Sequence, residues 1–156
     1  MLNRRAVFVF LLINIVALVS PVQGERQQTC MTPPTIAPSN ALPSAGTVRF
    51  AVIGDYGLAS QPELDVANLV KGWNPDFVIT TGDNNYPSGT ASTIDQNIGQ
   101  YYHDFIYPYT GSYGSGATTN RFFPSLGNHD WYTTNAQPYL DYFTLPGNER
   151  YYDFTW

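Results

Sequence analysis

At 156 residues, with 43% hydrophobic and 12% charged, the chain is long enough to bury one core and too apolar for a disordered polypeptide. Twelve acidic residues against seven basic ones give a net charge of −5, which argues against nucleic acid or an anionic membrane as a partner. The single cysteine, Cys30, has no internal disulfide partner.

Residues 1–24 have the three zones of a secretory leader: Arg4 and Arg5, an uncharged run over residues 6–19, then Ser20, Pro21 and Gly24. The run is shorter than the roughly 20 residues that span a bilayer and is interrupted by Asn14, so a cleaved signal is expected rather than an anchor. Cleavage after Gly24 would remove two arginines and no acid. A secreted product with no stable membrane association is therefore expected. Residues 25–46 are rich in Pro, Ser, Thr and Ala, with Pro33, Pro34, Pro38 and Pro43, and read as a solvated linker carrying Cys30.

Folded structure is expected over residues 47–156. Val48, Phe50, Val52 and Ile53 form a nearly continuous apolar run ending in Gly54-Asp55, as in a strand buried on both faces. Ser60-Gln61-Pro62-Glu63 is a capping box with proline in the first turn, and Leu64, Ala67 and Val70 follow at helical spacing. Asn74-Pro75 ends that helix. Phe77-Val78-Ile79-Thr80-Thr81 is a second buried strand ending in Gly82-Asp83, which completes a right-handed βαβ unit with parallel strands. Ile94, Ile98, Tyr101, Tyr102 and Phe105 predict a second helix, which Pro108 stops. Residues 110–120, rich in Gly, Ser and Thr, predict a mobile surface loop. Residues 121–126 are a weaker strand candidate because of Pro124, and end at Gly127. A short helix is expected over residues 138–143. Residues 150–156 alternate aromatic and polar side chains like a strand, which would leave an unpaired, sticky edge near Trp156.

Three successive strands thus end in glycine followed by a metal-competent side chain: Gly54-Asp55, Gly82-Asp83 and Gly127-Asn128. In an α/β sheet such positions face one crevice beyond the carboxyl ends of the strands, and glycine permits the sharp exit turn. Asp55, Asp83, Tyr86, Asn128, His129 and Asp130 gather there, mostly hard oxygen donors, which suit Mg, Mn or ferric iron better than a structural zinc site. Asp83, on the middle strand end, is the expected bridge between two cations. A phenol has a pKa of about 10, so Tyr86 would coordinate as phenolate only to a strongly polarising ion such as ferric iron.

These residues resemble the first three motif blocks of the purple acid phosphatases, within the calcineurin-like metallophosphoesterases. Asp55-Tyr56-Gly57 is similar to Asp-x-Gly, Gly82-Asp83-Asn84-Asn85-Tyr86 to Gly-Asp-x-x-Tyr, and Gly127-Asn128-His129-Asp130 to Gly-Asn-His-Asp/Glu. The resemblance implies an α/β sandwich of two mixed β-sheets flanked by helices, here incomplete at the C-terminus. It implies Fe(III) held by Asp55 and Tyr86, a bridging Asp83, and a second divalent metal (Fe, Zn or Mn) on the Asn128 amide oxygen. His129 would be the general acid and Asp130 a residue that orients the ligands from behind. The two later histidine blocks of complete members, Val-x-x-His and Gly-His-x-His, have no counterpart here. The two histidines are His103 and His129, and His103 is expected to be a surface or half-buried side chain. The implied reaction is hydrolysis of small phosphomonoesters or phosphoproteins. A phosphodiesterase or nuclease of the same superfamily, an inactive fragment and an aromatic-rich secreted binding module are the alternative readings. The aromatic pairs Tyr101-Tyr102, Phe122-Phe123 and Tyr151-Tyr152 are expected to pack rather than to bind.

Overall fold

The computed structural model describes residues 46–156. The leader, the linker up to residue 45 and Cys30 lie outside the described residues. Among the described residues no helix is long and apolar enough to cross a membrane.

The sheet has three strands in the order β1-β2-β3. Strand β1, Phe50–Ile53, pairs in parallel with β2, Phe77–Thr80, setting Phe50 against Phe77 and Ile53 against Thr80. The intervening helix α1, Gln61–Gly72, carries the chain back to start β2 beside the start of β1, which is why the pair is parallel. Strand β3 is only Phe122–Phe123, parallel to β2. The predicted strand over residues 121–126 is cut short because Pro124 has no N–H to continue the ladder. The domain is α/β, and the one parallel sheet among the described residues fits the incomplete sandwich expected.

Burial of the strands differs from the expectation. β2, paired on both edges, buries Phe77, Val78 and Thr80. β1 buries Ala51 alone, while Phe50 and Val52 on its other face are 44% and 54% exposed. The hydrophobic run of β1 was expected to be covered on both faces; among the described residues only one face is.

Helix α1 starts where the sequence placed it. Ser60 is extended, its hydroxyl accepts from the Glu63 N–H at 3.4 Å, and Pro62 lies in the first turn. The reciprocal half of the capping box is absent, because the Ser60 N–H donates to the Tyr101 hydroxyl at 3.0 Å and Glu63 turns inward. The buried stripe is accordingly Glu63, Ala67 and Val70, with Leu64 exposed. The helix ends through Trp73, followed by Asn74 in the left-handed region at φ 49° and then Pro75.

The second helix is not continuous. It comprises α2, Ala91–Ile94, a π turn, Asp95–Gly99, α3, Gln100–Tyr102, and a 3₁₀ turn, His103–Phe105. All five residues of its predicted stripe are nevertheless buried. The loop at residues 110–120 has no regular structure, yet it is tied down: Ser112 N–H donates to Asp95 Oδ2 at 2.8 Å and Ala117 N–H to the Ile106 carbonyl at 2.9 Å. Helix α4, Gln137–Tyr142, begins one residue before its predicted start, with Pro138 in its first turn.

Residues 150–156 form no strand. Their aromatics pack instead of pairing: the Phe154 ring stacks on Phe123 at 3.7 Å and meets Phe77 edge-on, and the Tyr152 hydroxyl donates to the Pro124 carbonyl at 2.7 Å. The uncovered strand is therefore β1, not one near Trp156. Of the aromatic pairs, Tyr101-Tyr102 and Phe122-Phe123 are buried as expected, but Tyr151 is 79% exposed.

Candidate metal centre

Asp55 and Asp83 leave their strands in the same way, each with φ 52°, the left-handed region that is costly for a residue with a Cβ. Of the glycines before them only Gly82 has positive φ, so the aspartates themselves make the turn at both strand ends. The Asp55 N–H donates to the Gly82 carbonyl at 3.2 Å, which fixes the two ends side by side. Tyr86 closes the group: its hydroxyl lies 2.9 Å from Asp55 Oδ1 and 3.3 Å from Asp83 Oδ2. The three residues expected to hold or bridge ferric iron are thus brought together.

The Tyr86 loop is held from below by Tyr86 N–H donating to the Gly57 carbonyl at 2.7 Å. A Cβ at Gly57 would collide with the Asn84 carbonyl, so this close approach requires glycine. Gly127 plays the same part on the other side, where a Cβ would collide with the Asp83 backbone nitrogen and carboxylate. The His129 N–H donates to Asp83 Oδ1 at 2.8 Å, so Asp83 joins Tyr86 of its own block to the Gly127–Asp130 block.

Asn128 is exposed at the rim, and its Nδ2 donates to the Tyr132 hydroxyl at 3.4 Å, leaving the amide oxygen as the atom a cation would take. The His129 ring lies between Tyr86, 4.2 Å between centroids, and Tyr132, 4.9 Å. His129 Nδ1 is 2.6 Å from the Pro87 carbonyl. A carbonyl only accepts, so Nδ1 carries a proton and Nε2 is the nitrogen that can exchange one.

Asp130 is buried behind the site and accepts from the backbone N–H of Gly127 at 2.8 Å, from that of Asn84 at 3.1 Å and from Asn84 Nδ2 at 2.9 Å. Burial pushes its carboxyl above the usual range, against the pull of these bonds. It orients the two strand ends through their backbone. Its chief partner, Asn84, was not singled out from the sequence. Asn84 Oδ1 accepts from Tyr56 Oη at 3.1 Å and Thr80 Oγ1 at 2.5 Å, and its Nδ2 also reaches the Ser125 carbonyl at 2.6 Å. The available signal was its position between Asp83 and Tyr86, where a short amide can bond its own exit turn. His103 is half-buried, as expected, bonded through Nδ1 to the Gly99 carbonyl and through Nε2 to Asp104.

The donors fit an oxygen-liganded cation. One phenolic proton is shared between two carboxylates, and burial, then the Asp55 hydrogen bond and the charges of Asp83 and Asp55, hold the Tyr86 phenol well above its ordinary range. A cation among these three oxygens would reverse that direction by favouring phenolate. Among the described residues no group of three or more His, Cys, Asp and Glu could hold a metal, and the oxygens brought together are two carboxylates and a phenol, with the Asn128 amide at the rim. A cleft of about 530 Å³ is lined by Val52, Asp55, Leu58, Ser60, Glu63 and Val66 among others, with neither Tyr86 nor His129 in its wall, so Asp55 is the site residue it borders.

The sequence profile described as calcineurin-like phosphoesterase matches residues 48–156. Purple acid phosphatase 3 of Arabidopsis thaliana is 34% identical over 93 residues, which cover 55% of this chain and 23% of that protein. Purple acid phosphatase 17 of the same plant is 31% identical over 93 residues, covering 56% and 25% respectively. Purple acid phosphatase 4 is 31% identical over 91 residues. The matched region spans about a quarter of the length of these relatives. No solved structure matches the chain.

Proposed function

The chain belongs to the calcineurin-like phosphoesterase family, and on that premise we propose that its strand ends form part of a dinuclear metal centre hydrolysing phosphate monoesters. The observation that carries this reading is the Tyr86 hydroxyl set between the Asp55 and Asp83 carboxylates. Phenolate coordination singles out ferric iron, with Fe, Zn or Mn as the divalent partner. Bound cations would supply positive charge at the phosphoryl oxygens and Lewis acidity toward water, which a chain of net charge −5 must obtain locally.

The protein's own groups do the rest. Asp55 and Tyr86 would hold the ferric ion, Asp83 would be shared between the two cations, and the Asn128 amide oxygen would hold the divalent one. His129, its Nδ1–H kept on the Pro87 carbonyl, gives the Nε2 proton to the departing alkoxide or aryloxide. Asp130 and Asn84 keep the two loops at one spacing, so that the donors need no rearrangement. The substrate is a small phosphomonoester or a phosphoprotein, met outside the cell after removal of residues 1–24.

Ferric loading tests the reading directly. Wild-type protein should develop a visible tyrosinate-to-iron absorption that Tyr86→Phe abolishes; iron binding with an unchanged band in Tyr86→Phe would overturn the assignment. Turnover of monoester over diester by the loaded protein tests the reaction class, and preference for the diester would move the proposal to a phosphodiesterase.

A further inference from the structure

The π turn within the second helix buries polar as well as apolar side chains. Three consecutive residues there, Asn97, Ile98 and Gly99, are buried, whereas a regular surface helix buries a stripe spaced three and four apart. The wider turn lets Ile98 keep its place in the apolar stripe while Asn97, 4% exposed, also faces inward. Its contacts reach two of the metal-site loops. Asn97 Nδ2 donates to the Tyr86 carbonyl at 2.8 Å and to Asn85 Oδ1 at 2.8 Å, and its Oδ1 accepts from the Ala59 N–H at 3.0 Å. Asn85 is itself fixed by Thr93 Oγ1 and the Thr90 carbonyl, each at 2.8 Å.

We propose that Asn97 is a positioning residue, presented by the π turn, that sets the separation between Asp55 and Tyr86. Four residues after Asp55 the chain is tied to Asn97 through Ala59, and Tyr86 is tied to it through its own carbonyl. One rigid amide therefore spans the two loops whose side chains meet at 2.9 Å. Asp95, at the start of the same turn, anchors it from outside, accepting from Tyr109 Oη at 2.6 Å, Tyr142 Oη at 2.8 Å and the Ser112 N–H at 2.8 Å. The consequence for metal binding rests on the reading of Tyr86 as a ligand; the positioning of Tyr86 does not.

The test uses Asn97→Asp, which keeps the volume and the acceptor for Ala59 but replaces both donations with a carboxylate oxygen. Asn97→Ser is the second variant should the first not fold, and exposed Gln96→Ala is the control. In protein carrying ¹³C-labelled tyrosine and no metal, the Tyr86 ring signals, assigned with Tyr86→Phe, feel the ring current of His129 at 4.2 Å. They should move toward free-tyrosine positions in Asn97→Asp and stay in place in Gln96→Ala; unchanged signals in Asn97→Asp overturn the proposal. With ferric iron, Asn97→Asp should shift the tyrosinate band and weaken binding about tenfold, in the range of second-sphere changes at metal sites. If the wild type itself shows no band, the metal reading fails and the ring signals alone decide the positioning.

Discussion

The carboxyl ends of the strands and the outer face of β1 differ in how complete they are. At the strand ends, buried polar groups find partners within the described residues: Asn84, Asn85, Asn97 and Asp130 are each bonded two or more times, Asn84 to Asp130 and Asn97 to Ala59 across loops far apart in sequence. On the outer face of β1, Val48, Phe50 and Val52 stand exposed, with Leu58 and Val66 nearby. A hydrogen-bond network is satisfied by a few groups of fixed geometry, whereas an apolar face gains only from area placed against it. The site can thus be well defined although β1 beneath it is covered on one face.

Substitutions that orphan the network should cost most. Asn84→Ala would leave Asp130, Tyr56 and Thr80 without their shared partner, and a loss of about 3 kcal/mol in denaturant unfolding is expected. A loss below about 1 kcal/mol would mean that water replaces the amide and that the strand ends are looser than drawn here.

Glu63 tests the boundary between the two regions, because it is 4% exposed on α1 and is not among the bonded groups of the network. Its Oε1 and the Tyr102 hydroxyl are both buried without a hydrogen-bond partner. Burial raises its carboxyl pKa to about 8, opposed by the nearby Tyr102 hydroxyl, which lies outside good hydrogen-bond geometry. The folded state then keeps a proton that the unfolded chain loses above about pH 4.3, so the contribution of Glu63 to stability is fully present below that pH and declines until about pH 8. Thermal unfolding of Glu63→Gln should lack that decline and exceed wild type by about 1–2 kcal/mol near pH 7.5. Parallel pH profiles for the two proteins would show Glu63 to be ionised in the fold.

Val52→Lys should have the smallest effect on folding, within about 0.5 kcal/mol, since the side chain is 54% exposed. It should nevertheless lower self-association measured by light scattering, because a charge on an uncovered strand blocks edge-to-edge pairing. Equal association in both proteins would show that this face is not the sticky one.

How much was legible follows from the range of each signal. Ser60 and Asn74-Pro75 bracket α1 because caps and breakers act over three or four residues, and glycine before a donor marked the ends of β1 and β2 for the same reason, whereas Gly127-Asn128 lies in the loop beyond the short β3. The site residues Asp55, Asp83, Tyr86, Asn128, His129 and Asp130 were all visible as local blocks, and four of the six meet through direct hydrogen bonds or ring contacts, with Asp130 bonded to Gly127 and Asn84 and Asn128 at the rim. The inward turn of Glu63 was not legible, since a capping box uses the same residues whether or not its second bond forms. Nor was the packing of residues 150–156, whose alternation suits a strand and an aromatic stack equally well.

The sequence by itself determined the α/β order of elements, the ends of α1 and the donors at the strand ends, because these depend on neighbours a few positions away. Only the tertiary structure decided that Asn84 joins Thr80, Ser125 and Asp130, that Asn97 joins Ala59 to Tyr86, and that one face of β1 stays uncovered. Those outcomes rest on polar partners up to 46 residues apart and on which surfaces meet, and neither leaves a periodic trace in the chain.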